Sequence, residues 1–332
     1  MSYAVVWFKR DLRLHDHAAL VDAAAHGPML CLYVIEPSLW APPDAARQHD
    51  EFFGGAVMSE VAMRLPNLLH QYAKQLAAQD SASASQPHAS TLNLASFPEG
   101  FRALVIGASG GIGQAFVQVL QTHPRCGTVV GLHRHSEPRL DLDEEASIAS
   151  AADALRGGEN GEIGGSGKFH LIIHAAGVLH TADFSPEKKL GDLSYAQLEA
   201  TFRVNTFGPA LVLRHFCPLL EPQRGVLAVL SAKVGSIEDN RLGGWYSYRA
   251  SKAALNMMLK TAAIEVKRSN PHAVLVSLHP GTVNTGLSKP FKGEQIGRAA
   301  PDAVADMLGV LNRLAAADSG GFFAYSGQRL PW

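Results

Sequence analysis

Tyr248 and Lys252 stand four residues apart in the run Trp245-Tyr246-Ser247-Tyr248-Arg249-Ala250-Ser251-Lys252. On a helix that spacing puts both side chains on one face, one turn apart. An ammonium beside a phenol stabilises the phenolate and lowers the tyrosine pKa, so the hydroxyl can exchange a proton with a carbonyl or alcohol near neutral pH. With 7 tyrosines in the chain the pair alone is unspecific. Its weight comes from where it stands, after a glycine-rich turn and several strand–helix repeats.

That turn lies at 101–113. The apolar, β-branched run Phe101 to Ile106 ends on Gly107, Gly111 and Gly113, spaced G-x-x-x-G-x-G, and an apolar segment of helical character follows from Gln114 to Leu120. Strand, tight turn and helix N-terminus make an anion site: backbone without Cβ atoms can approach a diphosphate, and free N–H groups and the helix dipole face its charge. A plain turn is the competing reading of the glycines by themselves. At the end of the next strand, Leu132-His133-Arg134-His135 carries no carboxylate to accept the ribose 2′-hydroxyl of NAD. Arg134 offers a planar donor fork to a 2′-phosphate, which favours NADP and leaves NAD possible.

Strands expected at 127–132, 169–174, 226–231, 273–278 and 321–325 alternate with helices at 144–155, 195–205, 209–220, 248–267 and 301–316. The fold class is therefore α/β, a doubly wound parallel-sheet Rossmann domain whose ligands bind at the carboxyl ends of the strands. Upstream, strands at 3–8 and 29–35 around a helix at 16–25 form one β-α-β appendage. Two such strands leave edges and a face uncovered. A helical pattern at 56–79, broken at Pro66, and a Ser/Ala/Pro-rich linker at 80–98 follow, and six glycines between 157 and 167 read as a surface loop. The domains are 1–55, 56–100 and 101–332.

Lys+Arg 29 against Asp+Glu 30 gives a net charge of -1, so no basic field for nucleic acid is implied and no nucleic-acid partner is expected. No apolar run approaches the roughly 20 residues of a membrane span. Lys9, Arg10, Asp11 and Arg13 stand where a signal peptide would have its apolar core, so a cytoplasmic protein is expected. The 3 cysteines, Cys31, Cys126 and Cys217, are scattered and read as reduced thiols. Among 15 histidines, His133 and His135 or His170 and His174 have metal-like spacing, but no carboxylate is placed to complete a site, and no metal is expected.

Two resemblances follow. Val5 to Asp16, with Leu32-Tyr33-Val34-Ile35-Glu36-Pro37 and Trp40, resembles the opening of DNA photolyases and cryptochromes over residues 1–53. In that family this segment begins an antenna-chromophore domain; nothing here resembles the large helical domain that holds flavin and damaged DNA, so light-driven repair is not implied. Residues 101–332 resemble the short-chain dehydrogenase/reductase family. Val234-Gly235-Ser236-Ile237 and Tyr248 through Asn256 are similar to its C-factor-like carbonyl reductase branch. The resemblance implies that Gly107, Ser109, Gly111, Ile112 and Gly113 form the dinucleotide turn, with Asp141 near adenine. His174-Ala175-Ala176-Gly177 replaces the usual Asn-Asn-Ala-Gly of the fourth-strand loop. Pro280, Gly281, Val283 and Thr285 are implied on the nicotinamide side. Tyr248 is implied as general acid/base, Lys252 as its partner and ribose contact, and Asn205 as the asparagine that bends a helix and holds a relay water.

The family's substrate-binding serine falls at Ala232. Ser231 is the expected replacement, with Ser236 and a serine-free site behind it. Losing such a donor costs on the order of 100-fold in rate. Trp245, Tyr246, Leu179 and 287–296 are expected to border the substrate. The function expected is transfer of hydride between NADP(H) and a small carbonyl or alcohol, in a homo-oligomer (dimer or tetramer) built on the helices starting near Pro209 and Tyr248. The rivals are a catalytically weak NADP(H)-binding signalling protein and a photolyase-like chromophore-binding module.

Overall fold

The computed structural model describes residues 4–8, 29–33, 92–156, 167–291 and 293–332. Two compact units divide after His88. In the first, strands β1 (Ala4–Phe8) and β2 (Met29–Tyr33) pair in parallel, Ala4 opposite Met29 and Phe8 opposite Tyr33. The expected helices at 16–25 and 56–79, the linker up to 91 and the glycine-rich stretch 157–166 lie outside the described residues.

The second unit runs β3 (Phe101–Ile106), α1 (Gly111–Thr122), β4 (Cys126–Leu132), α2 (Glu145–Arg156), β5 (Leu171–His174), α3 (Tyr195–Phe202), α4 (Gly208–Phe216) and β6 (Val226–Leu230). It continues with α5 (Tyr246–Ser269), β7 (Val274–His279), the single turn α6 (Gly293–Ile296), α7 (Ala300–Arg313) and β8 (Gly321–Ala324). All six strands of its sheet are parallel, in the order β4-β3-β5-β6-β7-β8. The chain moves outward from β3 to β4 and then crosses back to β5. The crevice at that switch point, beyond the carboxyl ends of β3 and β5, is where such sheets bind ligands.

Strand alternation divides the core into two layers. Ala103, Val105, Leu171 and Ile173 face α1 and α7 with Phe116, Leu120, Met307 and Leu311. Leu104, Ile106, Ile172 and Val229 face α2, α4 and α5 with Ile148, Phe216, Leu255 and Leu259. Local signals agree: Ser194 caps α3 by accepting from Gln197 N–H at 3.2 Å, and Pro209 and Pro301 sit in the first turns of α4 and α7.

Most elements fall within a few residues of expectation, and two differences have a physical cause. Residues 92–98 are not linker, because Leu94 and Phe97 are fully buried in the α1/α7 layer. The Phe97 ring stacks on Phe101 at 5.0 Å, Arg224 lies over it at 5.1 Å, and Ser96 N–H donates to Asn312 Oδ1 at 2.9 Å. Small-residue composition conceals two apolar side chains that plug the start of β3. The helix expected at 195–205 ends at Phe202 and widens into a π-helical turn, Arg203–Phe207, before α4 begins. Phe216 anchors α4 in the second layer. Phe216→Ala is expected to cost about 3–5 kcal/mol, read as a lower urea midpoint with unchanged slope.

Candidate active site

The glycine turn is built by close approach. Gly107 sits at φ 84, and a Cβ there would lie 2.7 Å from Ala176 N, so only glycine lets the β3 and β5 loops meet. A Cβ at Gly113 would lie 2.1 Å from the Gly107 carbonyl oxygen, which is how tightly the first turn of α1 sits on the turn. Gly110 caps α1 without a side-chain hydrogen bond, and no acidic residue stands in the first turn. The positive end of the helix is therefore left to whatever occupies the cleft above it.

That cleft measures about 670 Å³. Gly107, Ser109, Gly111 and Ile112 form its floor, and Ala175, Ala176 and Gly177 one wall. Arg134 and Asp141 line the far end, where Asp141 is paired with Arg139 at 2.8 Å and Arg134 is exposed. Pro280 and Thr285 close the near end beside Ser231, Tyr248 and Lys252. Three expected residues stand behind the surface. Gly113 is buried beneath the turn, Gly281 backs onto the Tyr325 ring, and Val283 packs in the core. Leu287, from the stretch expected to border the substrate, lines the cleft, and Val178, Thr181 and Val204 line it without having been anticipated, since they sit in loops or in the π-helical turn that no sequence pattern marks.

Tyr248 and Lys252 are both buried. Lys252 Nζ donates to the Leu230 carbonyl at 3.0 Å and lies 5.9 Å from the centre of the Tyr248 ring. Burial lowers the lysine to about 8 and pushes the phenol up to about 12. The direction is opposite to the lowering expected from the spacing, because burial desolvates the phenolate. Asn205 occupies the π-helical turn. Its Oδ1 accepts from Val178 N–H and its Nδ2 donates to the Val178 carbonyl, both at 2.8 Å, and to Ser251 Oγ at 3.1 Å. A Cβ on Gly177 would lie 3.3 Å from Asn205 Oδ1 and 3.4 Å from Lys252 Nζ, so a bare glycine separates the two groups.

The serine question resolves into three placements. Ser231 Oγ donates to Asn256 Oδ1 at 2.7 Å, and Ser236 Oγ donates to the Trp332 carbonyl at 3.1 Å. Ala232 sits in a cluster with Tyr248 and Leu179, flanked by Val234, Trp245 and Phe291. A methyl group, not a hydroxyl, therefore packs in the cluster that holds the phenol.

A family model for short chain dehydrogenases matches residues 102–295. The chain belongs to the short-chain dehydrogenase family. Within it, 1-hydroxy-2-glutathionyl-2-methyl-3-butene dehydrogenase of Rhodococcus sp. (strain AD45) is 30% identical over 240 residues, covering 69% of this chain and 98% of that protein. The C-signal protein of Myxococcus xanthus is 38% identical over 146 residues, 43% of this chain and 83% of that one. Among solved structures, the NADPH-bound carbonyl reductase from chicken fatty liver superposes with a TM-score of 0.59 at 25% identity, over 70% of this chain and all (100%) of that one. A DNA photolyase model matches residues 4–77, outside the dehydrogenase region. No helix among the described residues is long and apolar enough to cross a membrane.

In this short-chain dehydrogenase the histidine of His174-Ala175-Ala176-Gly177 is fully buried, and neither ring nitrogen has a hydrogen-bond partner. Burial, and then the Lys252 charge, push it down to about 3. Its folded pKa is depressed, so between about pH 3 and 6.5 the unfolded chain binds the extra proton and stability falls as pH falls. Replacing it by the family's asparagine should reduce the acid slope of the unfolding free energy by about 1.4 kcal/mol per pH unit within that window. Urea titrations at several pH values test this; equal slopes for wild type and His174→Asn contradict it.

Proposed function

We propose that the chain is an NADPH-dependent reductase of a small carbonyl compound, able to run in the alcohol direction. The observation that carries the reading is the buried Tyr248–Lys252 pair opening on the cleft above the glycine turn. The cleft suits a dinucleotide by its own chemistry: uncapped helix N–H groups for a diphosphate, and Arg134, in a strand-end run Leu132-His133-Arg134-His135 without a carboxylate, for a 2′-phosphate. The NADPH bound by the chicken reductase supports the same choice. When bound, the cofactor supplies the hydride. Gly107, Ser109, Gly111 and Ile112 hold its diphosphate end; Ala175, Ala176, Pro280 and Thr285 border the nicotinamide end, with Gly281 and Val283 shaping that loop.

Tyr248, its pKa pushed up to about 12, keeps its proton at neutral pH and gives it to the carbonyl oxygen. Lys252 stabilises the phenolate this leaves, and the proton is resupplied along the Lys252 and Asn205 side. Ser231 supports Asn256 rather than donating to substrate, and position 232 contributes no donor. A dimer or tetramer through α4 and α5 is part of the proposal, supported by Met257, Met258 and Ile264 exposed on α5, as is a cytoplasmic location. The catalytic region is 101–332 with the packed segment 92–100; the photolyase-like segment takes no part in the reaction.

The second reading, an NADP(H)-binding signalling protein of weak turnover, is favoured by the methyl group at Ala232. One assay separates the two. Purified chain mixed with NADPH and a panel of aldehydes and ketones should consume the reduced nicotinamide absorbance, and Tyr248→Phe should abolish this. Ala232→Ser is expected to raise the rate by up to about 100-fold, the worth of one oxyanion donor, and Ser231→Ala to change it little. NADPH binding without turnover on any carbonyl, in wild type and in Ala232→Ser, favours the sensor.

A further inference from the structure

A buried carboxylate stands beside the proposed acid and has no part in the chemistry above. Glu187 lies between β5 and α3 and is 2% exposed. Its Oε2 accepts from the Ser247 N–H at 3.2 Å, and its Oε1 accepts from the Ser247 hydroxyl. Its main-chain carbonyl accepts from Trp245 N–H at 2.5 Å. Among the described residues no basic side chain pairs with it. Its charge is met instead by the start of α5.

That helix start needs it. The first N–H groups of a helix have no partner within the helix, and an N-cap side chain usually satisfies one of them. Trp245 occupies the N-cap position of α5 with no side-chain hydrogen bond, and the first turn has no acidic residue of its own. The backbone leading in is also unusual. Gly243, Gly244 and Trp245 have φ of 65°, 64° and 53°, and Trp245 is the one non-glycine residue with positive φ among those described. A side chain is disfavoured in that region, so the conformation persists only where its surroundings impose it. Glu187 holds this bend twice, through its main-chain carbonyl on Trp245 N–H within it and its side chain on Ser247 after it. Arg249 secures the bend itself by donating to the Gly243 and Gly244 carbonyls.

We propose that Glu187 is a positioning residue for carbonyl reduction, a cap delivered from a loop 60 residues away. It fixes the first turn of α5, and with it the Tyr248 phenol and the Trp245 indole packed 6.2 Å from the Tyr248 ring. The negative end of the contact also suits the helix dipole. The proposal rests on the reading of Tyr248 as proton donor. Two readouts therefore separate its failure from the failure of that reading.

The full chain with saturating NADPH is compared with Glu187→Ala and Glu187→Gln, by amide hydrogen exchange over 245–249 and by NADPH oxidation with 4-nitrobenzaldehyde. Glu187→Ala is expected to speed exchange at those amides about tenfold, the worth of one lost cap. Its kcat per folded molecule should fall by about 10- to 100-fold with NADPH affinity unchanged, as for a displaced catalytic group. Glutamine keeps an acceptor for the N–H and should restore both quantities to within about threefold. If Glu187→Ala does not fold, Ser247→Ala, which removes only the hydroxyl contact, decides by a smaller loss in the same two readouts. Alanine variants that melt earlier yet exchange and turn over like wild type overturn the proposal, as does a glutamine variant as impaired as alanine. If wild type does not reduce the aldehyde, the reading of Tyr248 is in difficulty, and wild-type exchange rates in Glu187→Ala would overturn the cap independently.

Discussion

The hydrogen bond from Lys252 Nζ to the Leu230 carbonyl fixes the relation between α5 and the sheet at the site. A buried ammonium is costly unless hydrogen-bonded, and this one lowers its pKa to about 8 while holding a strand-end oxygen. Because Leu230 ends β6 and Lys252 lies in the second turn of α5, the bond sets how deeply the helix seats. Tyr248, one turn earlier, is carried with it to the cleft wall. The π-helical turn then locks to the same helix through Asn205 and Thr206, whose Oγ1 donates to the Ser251 carbonyl at 2.9 Å.

Around that bond, strand ends and helix starts supply the Gly107 turn, the Ala175–Gly177 wall and the Tyr248–Lys252 face. The loop after β7 and the segment around Trp245 supply shape. Ala232, Leu179, Trp245 and Phe291 surround the phenol with carbon.

Much of this was legible in the sequence because it is local. The Tyr-x-x-x-Lys spacing, the glycine turn and the strand–helix alternation each depend on residues within about one or two turns of one another. What escaped depends on distant contacts. Leu94 and Phe97 look like linker until Arg224 and Phe101 close on them. Ser231 looks like a free donor until Asn256, 25 residues on, accepts its hydrogen bond. Glu187 has no local pattern, since its partners are Trp245 just before α5 and Ser247 in its first turn. The direction of the Tyr248 pKa escaped for the same reason, because spacing reports the neighbouring charge and only the fold reports burial. The amino-terminal photolyase resemblance stood on contiguous residues and is matched at 4–77.

The most direct test is the pH dependence of kcat/KM for carbonyl reduction, which reports the groups of the unliganded protein. Burial pushes Tyr248 up to about 12 and Lys252 down to about 8, so the limb expected nearest neutrality belongs to the lysine. The rate should be level in neutral solution and fall above about pH 8, and the residual rate of Lys252→Met should lack that fall. A wild-type rate that stays level well beyond pH 8, or a Lys252→Met variant that keeps both the rate and the limb, would contradict the account.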